Sequence, residues 1–165
     1  TTTEIVNELF LTIQPANEIF NDLMELKNLM TSYYSDDPQN KEAFKHFIQS
    51  EWYLRQQKVP NAISQLNFIT NHFPSSNIIP LINLRLSLLY YRLKNYKMAL
   101  ETIEKLNETA FEDRGIILLG QIYELHLDDL KKAKQQYLQI IEQHENSIFS
   151  EPIRYHIRNI NKNNS

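Results

Sequence analysis

The sequence predicts an all-α protein: a right-handed α-solenoid of about three helix pairs, with N-terminal helices before them and a capping helix behind. Three observations support this. Ala62, Ala99 and Ala133 each stand nine or ten residues after a tyrosine (Tyr53, Tyr90, Tyr123), and each tyrosine follows a small residue by three (Ser50, Ser87, Gly120). Each alanine also heads the same apolar trailer, with Leu66, Ile103 and Tyr137 four residues on and Ile69, Leu106 and Ile140 seven residues on. Those positions share one helix face, because side chains repeat every 3.6 residues or so. Finally, the chain has only two glycines in 165 residues, its prolines cluster at helix junctions, and period-two alternation is scarce.

The elements follow in chain order. A short helix is expected from about Thr3 to Thr12, ended near Pro15, and a longer one from about Ala16 to Tyr34. The longer helix carries Ile19, Phe20, Leu23, Met24, Leu26, Met30, Tyr33 and Tyr34 on more than one face, which implies burial on two sides. Residues 1–37 are therefore read as a helical segment packing on the solenoid, and 38–165 as the repeat domain. Ser35-Asp36-Asp37-Pro38 breaks the chain and can cap the next helix. The first repeat, about 40–76, has helix A over Asn40 to Gln57, a turn at Val59-Pro60-Asn61 and helix B to His72. The second, 77–110, has helix A over Asn77 to Leu93, a turn at Lys94-Asn95-Tyr96 and helix B to Asn107. The third, 111–146, has helix A over Phe111 to Leu127 and helix B over Asp129 to His144, with one extra residue at Leu127-Asp128-Asp129. A capping helix over 147–160 has Pro152 in its first turn, where the missing N–H costs nothing, and exposes Arg154, Arg158 and Lys162. Small residues on helix A and the alanines on helix B let the paired backbones approach closely.

Composition narrows the function. Net charge is −3, with 17 basic and 20 acidic residues evenly mixed, so there is no basic field to bind nucleic acid. The absence of cysteine removes disulfides and thiolate metal sites. The most apolar stretch, Ile78 to Tyr91, is interrupted by Pro80, Asn83 and Arg85 and is too short and polar to span a bilayer, so no membrane insertion is expected. Two glycines cannot build a phosphate loop. None of His46, His72, His126, His144 and His156 pairs with another at metal-ligand spacing; His46 falls at a packing position, and His72 and His144 at helix ends. Asp36-Asp37 and Asp128-Asp129 read as helix starts, and no glycine lies between spaced acids as a calcium loop requires. Asn107-Glu108-Thr109 and Asn163-Asn164-Ser165 match the glycosylation sequon, a pattern that arises often by chance. No enzyme and no cofactor are expected. The chain opens on Thr1-Thr2-Thr3, and a fragment of a longer protein is expected.

A small residue, a tyrosine, then an alanine with this trailer, at spacings of 37 and 34 residues, resembles the tetratricopeptide repeat over roughly Asn40 to Ile160. The leucine expected beside the small residue is present as Leu86 and Leu119 but is Gln49 in the first repeat; the closing proline appears once, as Pro74, against Phe111 and Glu145. The step His72-Phe73-Pro74-Ser75-Ser76 is similar to that of bacterial tetratricopeptide proteins of cell-envelope assembly, as is the run Leu118-Leu119-Gly120-Gln121-Ile122-Tyr123. This likeness implies a scaffold, adaptor or assembly factor without catalysis, and favours the periplasm or envelope over the cytoplasm. In such repeats helix A lines a concave groove. Its residues here would be Phe44, Phe47, Glu51, Leu54 and Arg55 in the first repeat, and Leu81, Leu84, Leu88, Tyr91 and Arg92 in the second. The third would supply Arg114, Ile117, Gln121, Glu124 and Leu125. This strip is largely apolar, and an open strip of that kind requires a cover. The helix over Ala16 to Tyr34, a partner's apolar helix or peptide, and a second copy of the chain are the three candidates. Function is accordingly expected to be an interaction module, with a self-assembly module or the docking domain of a larger enzyme or transporter as alternatives.

Overall fold

A computed structural model describes residues 20–163, and every regular element among them is helical. The helix expected over Thr3 to Thr12, its stop at Pro15 and the start of the next helix at Ala16 lie outside the described residues. The chain forms two compact units, divided between Ile78 and Ile79.

The first unit contains α1 (Phe20–Tyr33), α2 (Pro38–Arg55) and α3 (Val59–His72). Asp37 starts α2: its carboxylate accepts the Asn40 N–H at 2.9 Å, and Pro38 takes the first turn, where a missing N–H loses no partner. α2 and α3 pack as a pair, joined by a three-residue turn at Gln56–Lys58. Met30, Ala43, Phe44, Phe47, Ala62, Leu66, Ile69 and Ile78 are the buried apolar residues here. The Asn77 N–H donates to Asn40 Oδ1 at 3.2 Å, which ties the segment after α3 to the first turn of α2.

The second unit contains α4 (Ile79–Arg92), α5 (Tyr96–Ile103, prolonged by a 3-10 turn at Glu104–Leu106), α6 (Glu112–Leu125), α7 (Leu130–Gln143) and α8 (Ser150–Asn163). Each helix packs on the next, from α4 through to α8. Asn95 and Asp129 cap α5 and α7, accepting the N–H groups of Met98 at 3.3 Å and Lys132 at 3.0 Å.

One device closes all three helix pairs. Gln57, Lys94 and Asp128 adopt left-handed backbone, with φ of 60°, 58° and 51°. The residue after each, Lys58, Asn95 or Asp129, donates its N–H to the carbonyl of the repeat tyrosine, Tyr53, Tyr90 or Tyr123, at 2.9 Å in every case. The backbone of each recurring tyrosine thus anchors the turn into the second helix.

Some boundaries differ from expectation. Val59, Pro60 and Asn61, expected as a turn, form the first turn of α3, because proline is tolerated where helical N–H groups have no acceptor. Tyr96, expected in a turn, is helical. α5 tightens into a 3-10 turn before reaching Asn107. The last helix starts at Ser150 rather than near Ser147 and runs on to Asn163.

The packing follows the repeat positions. Ala62, Ala99 and Ala133 are fully buried, as are Leu66, Ile69, Tyr137 and Ile140, with Ile103 and Leu106 nearly so. Ser50 and Ser87 are fully enclosed, and their hydroxyls donate back to the Phe47 and Leu84 carbonyls at 2.7 and 2.8 Å. In the third pair glycine replaces serine and tyrosine replaces the aliphatic residue. A Cβ on Gly120 would overlap Tyr137 Cε1 and lie 2.8 Å from Cδ1, so the ring occupies the space a side chain would need. Gly115 likewise lets α6 approach the 3-10 turn: a Cβ there would lie 3.1 Å from Leu106 Cδ1.

Candidate functional site

Helix A residues were expected to line a groove, and the structure sorts them into covered and open. In the first unit Phe44 and Phe47 are core residues. The Tyr34 ring, just past α1, meets Phe44 edge-on at 5.8 Å, and Phe47 lies 6.3 Å from Phe44. These two positions, expected in a groove lining that needs a cover, are therefore covered, and Tyr34, the last residue of the helix expected over Ala16 to Tyr34, packs on Phe44. Glu51 and Leu54 are half-buried and Arg55 is exposed.

In the second unit Leu81, Leu84, Leu88 and Tyr91 run along one side of α4, beside its buried residues Ile82, Leu86, Leu89 and Tyr90. Leu81 and Leu84 are half-buried, Arg92 is exposed, and Leu88 is 38 % exposed. On α6, Gln121 is exposed and Leu125 is 62 % exposed. Arg114 is also exposed but engaged, 3.3 Å from Asp113 and with its guanidinium 5.5 Å from the Phe111 ring centre. Ile117 packs against the core of Ala133, Tyr137, Ile153 and Ile160.

Two of the expected residues are held by internal networks. Glu124 accepts a hydrogen bond from the Tyr137 hydroxyl at 2.8 Å, and the same carboxylate oxygen lies 2.8 Å from His156 Nε2. The His156 ring meets Tyr137 edge-on at 5.3 Å, so this cluster joins α6, α7 and α8. Burial first, and then the Glu124 carboxylate, push the Tyr137 phenol well above its ordinary range. Tyr91 lies with its hydroxyl 3.2 Å from His126 Nε2, and Tyr96 stacks on His126 at 4.3 Å. This second cluster brings the α4–α5 turn against the end of α6.

Neither network was visible in the sequence as a contact. Glu124 nonetheless stands at the repeat position held by Leu54 and Tyr91 elsewhere, and that change from apolar to acidic was the available signal. His126 and His156 matched no motif. Of the others, His46 Nδ1 lies 2.7 Å from Gln65 Oε1 and packs on Phe68, and His72 Nδ1 lies 3.0 Å from the Phe68 carbonyl. Among the described residues no group of three or more His, Asp or Glu is placed to hold a metal ion. No helix among them is long and apolar enough to cross a membrane.

Comparison with known proteins adds one finding. A family model, the tetratricopeptide repeat-like domain, matches residues 18–162. No curated protein and no solved structure gives a significant match.

Proposed function

The chain belongs to the tetratricopeptide repeat-like domain family, and from that premise we propose that it is a non-catalytic scaffold or adaptor that binds a protein partner along the first helices of its repeats. Domains of this family typically bind protein partners and carry no catalysis. The observation that carries the reading is the pair Leu88 and Leu125, two large apolar side chains 38 % and 62 % exposed at groove positions of consecutive repeats. Exposed leucines gain by burial against an apolar partner, and their spacing over two helices suits an amphipathic helix or extended apolar segment. Arg92 and Gln121, both exposed, supply a polar rim that can fix the partner's register. The likeness of the His72–Ser76 step to envelope-assembly repeats supports a place in the bacterial cell envelope, within a larger protein.

Leu88→Asp combined with Leu125→Asp tests the proposal. Leu125 is mostly exposed, so its change alters stability by about 0.5 kcal/mol or less, whereas Leu88, 38 % exposed, is partly packed and its change costs about 1 kcal/mol. The expected result is loss of the partner captured from the source organism's lysate, with helical circular dichroism unchanged. Capture equal to that of the unsubstituted chain overturns the proposal.

A further inference from the structure

The second unit carries its charge in two opposed zones. Arg92, Lys94, Lys97, Lys131, Lys132 and Lys134 lie where α4 and α6 end and α5 and α7 begin. The Tyr91–Tyr96–His126 cluster holds those ends together. Glu104, Glu108, Glu112, Asp113, Glu142 and Glu145 lie where α5 and α7 end and α6 begins. Ser147 joins that zone by donating to Asp113 at 2.7 Å, and His144 lies 3.9 Å from Glu112. Each zone also holds charges of the other sign, Asp128 and Asp129 in the basic one and Lys105 and Arg114 in the acidic one, of which Asp129 and Arg114 are engaged locally. Asp129 caps Lys132, whose backbone N–H and then ammonium hold its carboxyl below the usual range, and Arg114 bonds Asp113.

Helix stability does not account for this arrangement. A helix favours acids in its first turn and bases in its last. α6 obeys, with Glu112 and Asp113 at its start. α5 and α7 depart from it: Lys97 stands in the first turn of one and Lys131 and Lys132 in that of the other. The last turn of α7 holds Glu142 and no base, although Asp129 caps α7 and Lys105 lies in the 3-10 turn that prolongs α5. Each zone also carries apolar side chains. Leu93, Leu125 and Leu127 flank the basic one, and Ile148, 77 % exposed, stands in the acidic one. Beside Ile148 an open hollow of about 510 Å³ is lined by Asp113, Glu142, Glu145, Asn146 and Ser147.

We propose that the basic zone of one copy docks in the acidic zone of a second, head to tail, with lysine side chains entering the hollow and Ile148 meeting the exposed leucines. The two zones are complementary in charge and each brings apolar area, whereas neither complements itself, so the contact is heterologous and propagates from copy to copy. The docking face shares Arg92 and Leu125 with the proposed groove, but the acidic zone and the lysines of α5 and α7, which the charge reversals below change, belong to no groove position.

Sedimentation velocity on the full chain tests it, comparing about 0.01 M with about 1 M salt, between which the Debye length falls from about 30 Å to about 3 Å. The expected result is concentration-dependent oligomers at low salt and monomer at high salt. Lys94→Glu/Lys97→Glu/Lys131→Glu is expected to be monomeric alone, as is Glu142→Lys/Glu145→Lys, while a mixture of the two associates. All five positions are solvent-exposed, and helical circular dichroism verifies folding. A monomer at low salt overturns the proposal, as do oligomers indifferent to salt and to both reversals. A low-salt monomer that binds poly-glutamate also overturns it, pointing to a foreign acidic partner instead.

Discussion

Replacing Gly120 by alanine tests how the third helix pair is built. The new Cβ would overlap Tyr137 Cε1 and sit 2.8 and 3.0 Å from Cδ1 and Cζ, where carbon atoms prefer about 3.5–4.0 Å. The ring has little room to yield. It is 1 % exposed, its hydroxyl is bonded to Glu124 at 2.8 Å, and His156 stands against it at 5.3 Å. Overpacking of this kind costs about 1–3 kcal/mol. The overlap with a confined ring puts the cost in the upper part of that range, about 2–3 kcal/mol, and alanine returns about 1 kcal/mol as the better helix former, so a net loss of about 1–2 kcal/mol is expected. With a urea dependence of about 2 kcal/mol per molar, the unfolding midpoint falls by roughly 0.5–1 M. The first two repeats pair serine with an aliphatic residue, as Ser50 with Leu66 and Ser87 with Ile103. Gly120→Ser/Tyr137→Leu is therefore expected to be less destabilised than the sum of its single changes, by about 0.5–3 kcal/mol of coupling. A stabilised Gly120→Ala variant, or strict additivity in the double variant, would refute the size exchange.

Other consequences can be checked alongside. Ala99→Leu places a large side chain at a fully buried crossing point and is expected to lower thermal stability by about 1–3 kcal/mol; an unchanged melting curve contradicts the repeat register. Lys94→Gly relieves the left-handed backbone, φ 58°, and should stabilise by about 0.5–1 kcal/mol, since the strain removed exceeds the entropy glycine adds to the unfolded chain. Tyr137 gives the alkaline limit. Its phenol titrates higher in the folded than in the unfolded chain, so its contribution is complete below the unfolded value, near pH 10, and is lost as pH rises beyond it. Thermal melts from pH 9 to 11 or so should thus show a steeper fall for the unsubstituted protein than for Tyr137→Phe, and parallel curves would contradict this.

How much was legible depended on whether a feature repeats. The alanines and their partners four and seven residues on recur three times, and a helix turns that spacing into one buried face. The turns left a weaker trace. Gln57, Lys94 and Asp128 hold left-handed backbone without being glycine, and Pro60, which reads as a breaker, begins a helix instead. The candidate site was legible as a side of a helix but not as an open surface. Spacing places both Phe44 and Leu88 in the lining of the groove, at different offsets, yet one is packed against Tyr34 and the other reaches solvent. Glu124 meets His156, thirty-two residues on in a helix outside the repeat pattern, and no local rule anticipates such a pair.

Site-specific photo-crosslinking tests the proposed binding surface most directly, with a benzophenone side chain placed singly at Leu88, Leu125 or Leu138. Leu138 serves as the control because it is exposed on α7, among Lys131, Lys134 and Gln135. Partner adducts from positions 88 and 125 and none from 138 are predicted. Adducts from 138 alone would contradict the account and move the binding surface to the second helices of the repeats.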